Sequence, residues 1–266
     1  MLRGIAEINM PNNVVLDVCV VHMNEVIAPK PNGFLHDYHA HAVHTSCNLP
    51  LASARNEGAS QAKGEYLLFL DVDCIPHPEC IKDYLHALTT HPDSLIMGEV
   101  YYLPKTLPDR WNQQMLRQTS SPHPSRTYLT RPTFEKESNY GMFWSLNFAL
   151  KRSTYSSIGG FDERFVGYGA EDTDFAMSAK HASVPLLWCR GAACYHQFHG
   201  SISPPLHHFD DILANAQRYY DKWGYWAMEG WLDAFAQRGY IAWDNAASHI
   251  TVLAHPTLED IQQAAA

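Results

Sequence analysis

The chain has 266 residues, a formal net charge of −9 and a hydrophobic fraction of 46%, which suits a globular α/β domain with a sizeable core. The acidic balance argues against a nucleic-acid partner, because no basic run opposes it. No apolar stretch is long enough to span a bilayer and the first residues lack a signal-peptide pattern, so we expect a cytoplasmic protein, with peripheral association at the inner face of the membrane left open. Six cysteines without Cys-x-x-Cys spacing indicate neither a zinc ribbon nor a disulfide framework.

Apolar runs, helical spacing and turn residues predict the elements in chain order. The first half has a buried strand at 14–22, a loop-rich stretch at 24–50 with a short strand near Ala40–His44, a helix at 52–62, a strand ending at Asp71, and a helix at 79–89. The second half has a strand at 95–103, a long Pro-, Ser- and Thr-rich loop at 104–139, a strand at 184–194, and a helical pattern from Asp210 onward.

Two carboxylates stand where the apolar run 66–70 ends, at Asp71 and Asp73. Oxygen ligands at the end of a buried strand suit Mg²⁺ or Mn²⁺, and an ion held by few protein ligands keeps positions open for phosphate oxygens. The alternative is a strand that simply ends in solvated acids.

A second acidic cluster follows a glycine-rich loop at 159–169 and comprises Glu171, Asp172 and Asp174. The segment 171–179 has helical spacing, and acids in a first turn are favoured by the helix dipole. Asp172 or Asp174 could therefore cap the helix, but a flexible loop that delivers adjacent carboxylates into a cleft also suits a general base.

Taken together, these motifs resemble a known enzyme class. Residues 52–73 (Ala-Ser-Ala-Arg-Asn-Glu-Gly through Leu-Asp-Val-Asp) look like the nucleotide-sugar half of a GT-A glycosyltransferase of the family 2 type. Residues 147–175 resemble the galactosyltransferase-type C-terminal segment of β-1,4-galactosyltransferases, chondroitin polymerases and polypeptide N-acetylgalactosaminyltransferases. The resemblance implies a GT-A fold: an α/β domain with a mainly parallel sheet, helices on both faces and a C-terminal helical extension. It also implies a ligand at the carboxyl ends of the strands.

The resemblance also implies roles on the donor side. Arg55, Asn56 and Asp71 would line the nucleotide-sugar pocket, and Asp73 would bind the divalent cation, Mn²⁺ or Mg²⁺. A histidine after the last strand would complete the metal site, with His196 the first choice and His199 the second. The pair at 207–208 is a third choice.

On the acceptor side, Asp172 aligns with the general base of inverting enzymes and Glu171 with an acceptor contact. Trp144 and Tyr168 could stack on a sugar ring, although core packing explains either ring equally well.

We therefore expect a metal-dependent inverting glycosyltransferase that moves a sugar from a nucleotide-sugar donor, a UDP-hexose, to a hydroxyl of a saccharide or lipid-linked acceptor. The expected division is a catalytic domain at 1–200 and a helical extension at 201–266. In the resembled family a strand and helix precede the first strand found here, so that strand is expected to be missing or truncated. This leaves two alternatives: a degenerate transferase that binds sugar or a partner, and a phosphatase of the haloacid dehalogenase type, which also carries Asp-x-Asp after a strand.

Overall fold

The computed structural model describes residues 1–27, 30, 32–34, 36–46, 49–108, 110–124, 126, 133–200 and 202–265. The strands are β1 (Asp17–Met23), β2 (Asp37–Val43), β3 (Tyr66–Leu70), β4 (Cys74–Pro76), β5 (Leu95–Met97), β6 (Val100–Tyr102), β7 (Ser121–Pro122), β8 (Phe134–Glu137), β9 (Asn147–Lys151), β10 (Leu186–Cys189), β11 (Cys194–His196), β12 (Ile241–Ala242) and β13 (Thr251–Val252). The helices are α1 (Leu2–Ala6), α2 (Leu51–Gln61), α3 (Cys80–Thr90), α4 (Gln113–Thr119), α5 (Arg152–Ile158), α6 (Glu171–His181), α7 (Phe209–Trp223), α8 (Glu229–Gln237) and α9 (Leu258–Ala264).

The largest sheet has the order β3-β9-β5-β10-β8. The α/β class is confirmed, but the mainly parallel arrangement is a correction. Only β5 and β10 pair in parallel, whereas the β3–β9, β5–β9 and β8–β10 pairs are antiparallel. Continuous apolar runs predicted parallel strands because such strands are buried on both faces. Here antiparallel strands are buried in the same way, so burial does not reveal their direction.

Helices cover both faces of this sheet, as expected. On one face, α2, α5 and α6 pack against Leu67, Leu95 and Phe148. On the other face, α3 packs against Ile96 and Leu187. The sheet is held between these two apolar layers. The first acidic motif follows the end of β3, and the second begins α6.

Two segments predicted as single strands each divide between two sheets. The segment 95–103 becomes β5 and β6, and the segment 184–194 becomes β10 and β11. The first break falls at Gly98, where a Cβ atom would lie 2.2 Å from the Ala192 carbonyl oxygen. Only glycine permits this approach. The resulting second sheet has the order β4-β11-β6-β7 and pairs His196 with Cys74.

The first residues form the short helix α1 and no strand. β1 and β2 make a separate parallel pair, and the described residues supply no strand partner for the other edge of β1 or of β3. The segment 104–139, predicted as a loop, contains α4, β7 and β8. The part of that prediction covering residues 109, 125 and 127–132 lies outside the described residues.

The C-terminal region contains α7, α8, α9 and the β12–β13 hairpin around its own apolar cluster, which includes Phe209, Ile212, Leu232 and Phe235. The boundary predicted at residue 200 stays a prediction. None of the helices in the described ranges is long and apolar enough to cross a membrane, and the location expected from the sequence stays a prediction.

Candidate active site

The Asp-x-Asp motif lies at the junction of the two large sheets. Strand β3 ends at Leu70, and the Asp71 amide then donates to the Leu146 carbonyl at 3.0 Å. The main-chain carbonyl of Asp73 accepts from the backbone and the side-chain amide of Gln197, at 2.8 and 3.1 Å. The backbone is therefore held on both sides of the turn, and β11 runs alongside it.

The β4–β11 pairing brings together the three residues predicted to bind metal. One oxygen of Asp73, Oδ2, lies 3.3 Å from His196 Nε2 and 3.6 Å from His199 Nε2. One ligand atom from each residue falls within 4.8 Å of the others. His196 is buried while His199 is exposed, so the cluster opens toward solvent at the His199 side.

The donor set of this cluster fits a divalent ion. Asp73 Oδ1 is buried and has no hydrogen-bond partner among the described residues, an arrangement that costs free energy unless a ligand satisfies the atom. Burial opposes ionisation of Asp73, but the hydrogen bond with His196 and the charges of both histidines hold its pKa below the ordinary value. An ionised carboxylate with an unpaired oxygen beside two imidazoles is a suitable ligand set for a transition metal.

Arg55 on α2 connects the two acidic motifs. Its guanidinium donates to Glu171 Oε1 at 3.0 Å and lies 3.4 Å from Asp71 Oδ1. It also lies over the Phe161 ring, 5.2 Å from the centroid. Burial raises the pKa of Asp71 above its usual range, although Arg55 opposes the shift. Arg55 is thus a largely buried cation that contacts acids of both motifs.

Asp172 and Glu171 start helix α6 next to this guanidinium. Burial and the neighbouring Glu171 carboxylate raise the pKa of Asp172 to about 7, and Arg55 opposes the shift. Asp172 Oδ1 accepts from the Thr173 amide at 2.7 Å, which orients the carboxylate. A carboxylate with a pKa near neutrality is suited to take a proton from a hydroxyl group.

The helix-cap alternative does not describe these acids. The N-cap position of α6 is Ala170, with no side-chain capping hydrogen bond. Asp174 is buried and bonded to Lys222 Nζ at 2.9 Å and Trp223 Nε1 at 2.8 Å. Asp174 therefore anchors α7 on α6. Asp172 remains the acid whose pKa of about 7 suits a general base.

Asn56 sits one residue from Arg55 but faces the glycine-rich loop. Its Nδ2 donates to the Phe161 carbonyl and to Glu163 Oε1, at 2.9 and 2.8 Å. Its Oδ1 accepts from Tyr155 Oη at 2.6 Å and from the Phe161 amide at 2.9 Å. Two donors and two acceptor sites are the full capacity of the amide, so the loop and Tyr155 of α5 together use the hydrogen-bonding capacity that a contact with the nucleotide-sugar would need.

The aromatic candidates differ in their surroundings. Trp144 lies under the Arg126 guanidinium, 3.7 Å from the ring centroid. Tyr168 stacks on His208 at 4.3 Å and lies 5.8 Å from Trp231. His208 therefore packs on the glycine-rich loop 159–169 and not beside Asp73. The sequence alone did not indicate Gln197, Lys222 or the loop-holding role of Asn56, because each acts through a contact distant in the chain.

Comparison with protein families gives one match over most of the chain. Residues 14–209 match the model described as glycosyltransferase like family 2. The match includes both acidic motifs, Arg55 and the two histidines. It leaves the phosphatase alternative without support.

Individual relatives are distant. The chain is 25% identical to validoxylamine A glucosyltransferase of Streptomyces hygroscopicus subsp. jinggangensis (strain 5008) over 53% of this chain and 37% of the relative. It is 21% identical to chondroitin synthase of Escherichia coli over 55% of this chain and 25% of the relative. The crystal structure of S. aureus TarS 1-349 in complex with UDP-GlcNAc superposes with a TM-score of 0.53 and 13% identity, covering 83% of this chain and 68% of that one. The chain thus spans well under half the length of these two curated relatives.

Proposed function

The chain belongs to the glycosyltransferase-like family 2, and on that premise we propose that it transfers a sugar from a nucleotide-sugar donor, a UDP-linked hexose, to a hydroxyl of a saccharide or lipid-linked acceptor. The observation that carries the proposal is the link from Asp71 through Arg55 to Glu171. Through it, one largely buried guanidinium joins the turn that carries Asp71 and Asp73 to the helix α6 that carries Glu171 and Asp172. A UDP-GlcNAc complex of the similar fold of TarS supports the choice of donor class.

The donor side would use Asp73, His196 and His199 to hold a divalent cation. Such an ion acts as a Lewis acid that neutralises the charge of a departing diphosphate. Carboxylate oxygens suit Mg²⁺ and Mn²⁺, whereas imidazole nitrogen favours the transition metal. The two imidazoles of this set therefore support Mn²⁺ over Mg²⁺.

The acceptor side would use Asp172 as the general base. An acceptor hydroxyl placed against its carboxylate would lose a proton to Asp172 as the oxygen bonds to the anomeric carbon, while the bond from that carbon to the diphosphate breaks and UDP leaves with the bonding electrons. One base on the acceptor side implies a single displacement and inversion of the anomeric centre. Glu171, paired through Oε1 with Arg55, would contact the acceptor through its other oxygen.

The experiment is to incubate the full chain with UDP-glucose, UDP-galactose, UDP-GlcNAc and UDP-GalNAc in Mn²⁺ and to measure UDP release, with chelator and Asp172→Asn as controls. We expect slow release from one donor, lost with chelator and strongly reduced in the variant. With an acceptor in hand, proton NMR of the product should show the inverted anomer. Tight UDP binding without turnover of any nucleotide sugar would contradict the proposal and favour the sugar-binding alternative.

A further inference from the structure

A second cluster of metal-type side chains lies on the separate β1–β2 pair. The parallel register sets Cys19 opposite His39. His41 lies two residues further along β2, and side chains two apart in a strand project from the same face. One ligand atom from each of the three residues falls within 4.8 Å of the others.

The spacing of the two imidazoles matches a tetrahedral ion. His39 Nδ1 and His41 Nε2 lie 3.2 Å apart. Zinc–nitrogen bonds of about 2.0–2.1 Å at a tetrahedral angle place two ligand nitrogens about 3.4 Å apart. The two rings therefore already hold nearly the separation that such an ion requires.

Each imidazole has a carboxylate at its other nitrogen. His39 Nε2 lies 2.8 Å from Asp17 Oδ1, and His41 Nδ1 lies 3.6 Å from Glu57 Oε1 on α2. Histidines that bind metal generally donate their outer N–H to a carboxylate or carbonyl, which fixes the tautomer and the ring orientation. His39 has this arrangement at hydrogen-bond distance, and His41 faces its carboxylate at ion-pair distance.

Hydrogen bonds between side chains account for only part of the cluster. His39 Nε2 lies 2.8 Å from Asp17 Oδ1, and His39 Nδ1 lies 3.2 Å from His41 Nε2, so two neutral imidazoles supply the two protons that these contacts need. Cys19 takes part in neither contact. A cation among the three residues would be bound by the sulfur of Cys19 together with the two facing nitrogens.

We propose that Cys19, His39 and His41 form a second metal site, of the zinc class, with Asp17 and Glu57 as the outer partners of the two histidines. A thiolate and two imidazoles select Zn²⁺ over Mg²⁺ or Mn²⁺. The site shares no residue with the Asp73 cluster. It links β1 and β2, and Glu57 connects it to α2, the helix that also carries Arg55. His39 and His41 keep 23% and 29% of their side chains exposed, so an ion has a path to the ligands.

The test uses Co²⁺ as a probe for the zinc site in the full chain. A thiolate ligand gives a charge-transfer band that a site of carboxylate and imidazole lacks, so the band reports Cys19 and not Asp73. We expect the parent to develop the band as Co²⁺ is added to saturation, with one bound Co²⁺ responsible for it, and to lose it when Zn²⁺ is added. Asp73→Ala and the exposed-surface control His249→Ala should keep the band at unchanged affinity.

The site variants should behave differently from these controls. Cys19→Ser should abolish the band, and Glu57→Gln should weaken Co²⁺ binding about tenfold or more, as loss of an outer partner does. His41→Ala removes a different ligand. It replaces Cys19→Ser as the test if circular dichroism without metal shows that Cys19→Ser does not fold. Absence of the band in the parent at saturating Co²⁺, or an equal band in Cys19→Ser, would overturn the proposal. Neither result depends on glycosyl transfer.

Discussion

The Arg55 guanidinium lies between Asp71 and Glu171, two acids a hundred positions apart in the chain, at 3.4 and 3.0 Å. Removing one partner of a buried ion pair leaves the other charges uncompensated. We expect Arg55→Met to lower the free energy of unfolding by about 3–5 kcal/mol and to abolish turnover. Chemical denaturation measures the first effect. Arg164→Met is the control: it removes an exposed guanidinium from Asp162, which keeps its contact with Lys222, and should change stability little. Equal losses in both variants would contradict the bridging role.

Asp172, as the proposed general base, should be required for turnover. Asp172→Asn keeps the size and most hydrogen bonds of the carboxylate but does not accept a proton. Turnover should fall by about 10²–10⁴, the usual contribution of a general base, while the dissociation constant for UDP changes little. Asp174→Asn is the matched control. Asp174 anchors Lys222 and Trp223, so its variant should unfold more easily yet keep turnover per folded molecule.

The raised pKa of Asp172 predicts a pH profile. The base form of Asp172 requires a pH above its pKa of about 7, so kcat/KM should rise across that value and level off above it. A rate profile in excess metal measures this. A profile that stays flat down to pH values near the ordinary carboxyl pKa of about 4 would contradict the assignment.

The same shift affects stability in the opposite direction. Between a pKa of about 4 in the unfolded chain and about 7 in the folded protein, the folded state keeps a proton that the unfolded chain has released. The contribution of Asp172 to the free energy of unfolding therefore falls as pH rises through this window. Asp172→Asn removes the dependence, so its stability relative to the parent should be greater at about pH 8 than at about pH 4.5. Urea unfolding at the two pH values measures the difference, and an unchanged difference would contradict burial of an ionising Asp172.

Asn56 tests whether a motif residue contacts the donor or holds the loop. Asn56→Ala leaves the Phe161 amide and carbonyl without their side-chain partner, and we expect a loss of about 1–3 kcal/mol in the free energy of unfolding. UDP affinity per folded molecule should stay near that of the parent. A large loss of UDP affinity with unchanged stability would contradict the loop-holding role and support the donor contact predicted from the sequence.

The sequence predicted much of the architecture because its local signals were clear. The apolar run before Asp71 and the glycine-rich loop before Glu171 marked the ends of elements, and the order of the two motifs indicated the family. Helices α2, α3 and α7 begin within one residue of their predicted starts. The spacing of apolar residues within an element involves only residues near each other in the chain, so it can be recognised in a single sequence.

Features that depend on contacts between distant segments were missed. The break at Gly98 arises from the Ala192 carbonyl, and strand direction follows from the connections between strands. The amide of Asn56 is used by a loop 105 positions away. Cys19 and His39 are opposite each other only through the β1–β2 register, which the spacing of cysteines and histidines along the chain does not reveal.

We propose that Asp73, with His196 and His199, holds the divalent ion that binds the donor diphosphate. The most direct test is calorimetric titration of UDP into the full chain in the presence and absence of Mn²⁺. We expect Mn²⁺-dependent UDP binding in the parent, none in Asp73→Ala with the fold retained, and weakened binding in His196→Ala. The same Mn²⁺-dependent UDP affinity in Asp73→Ala and the parent would show that Asp73 is not the metal ligand.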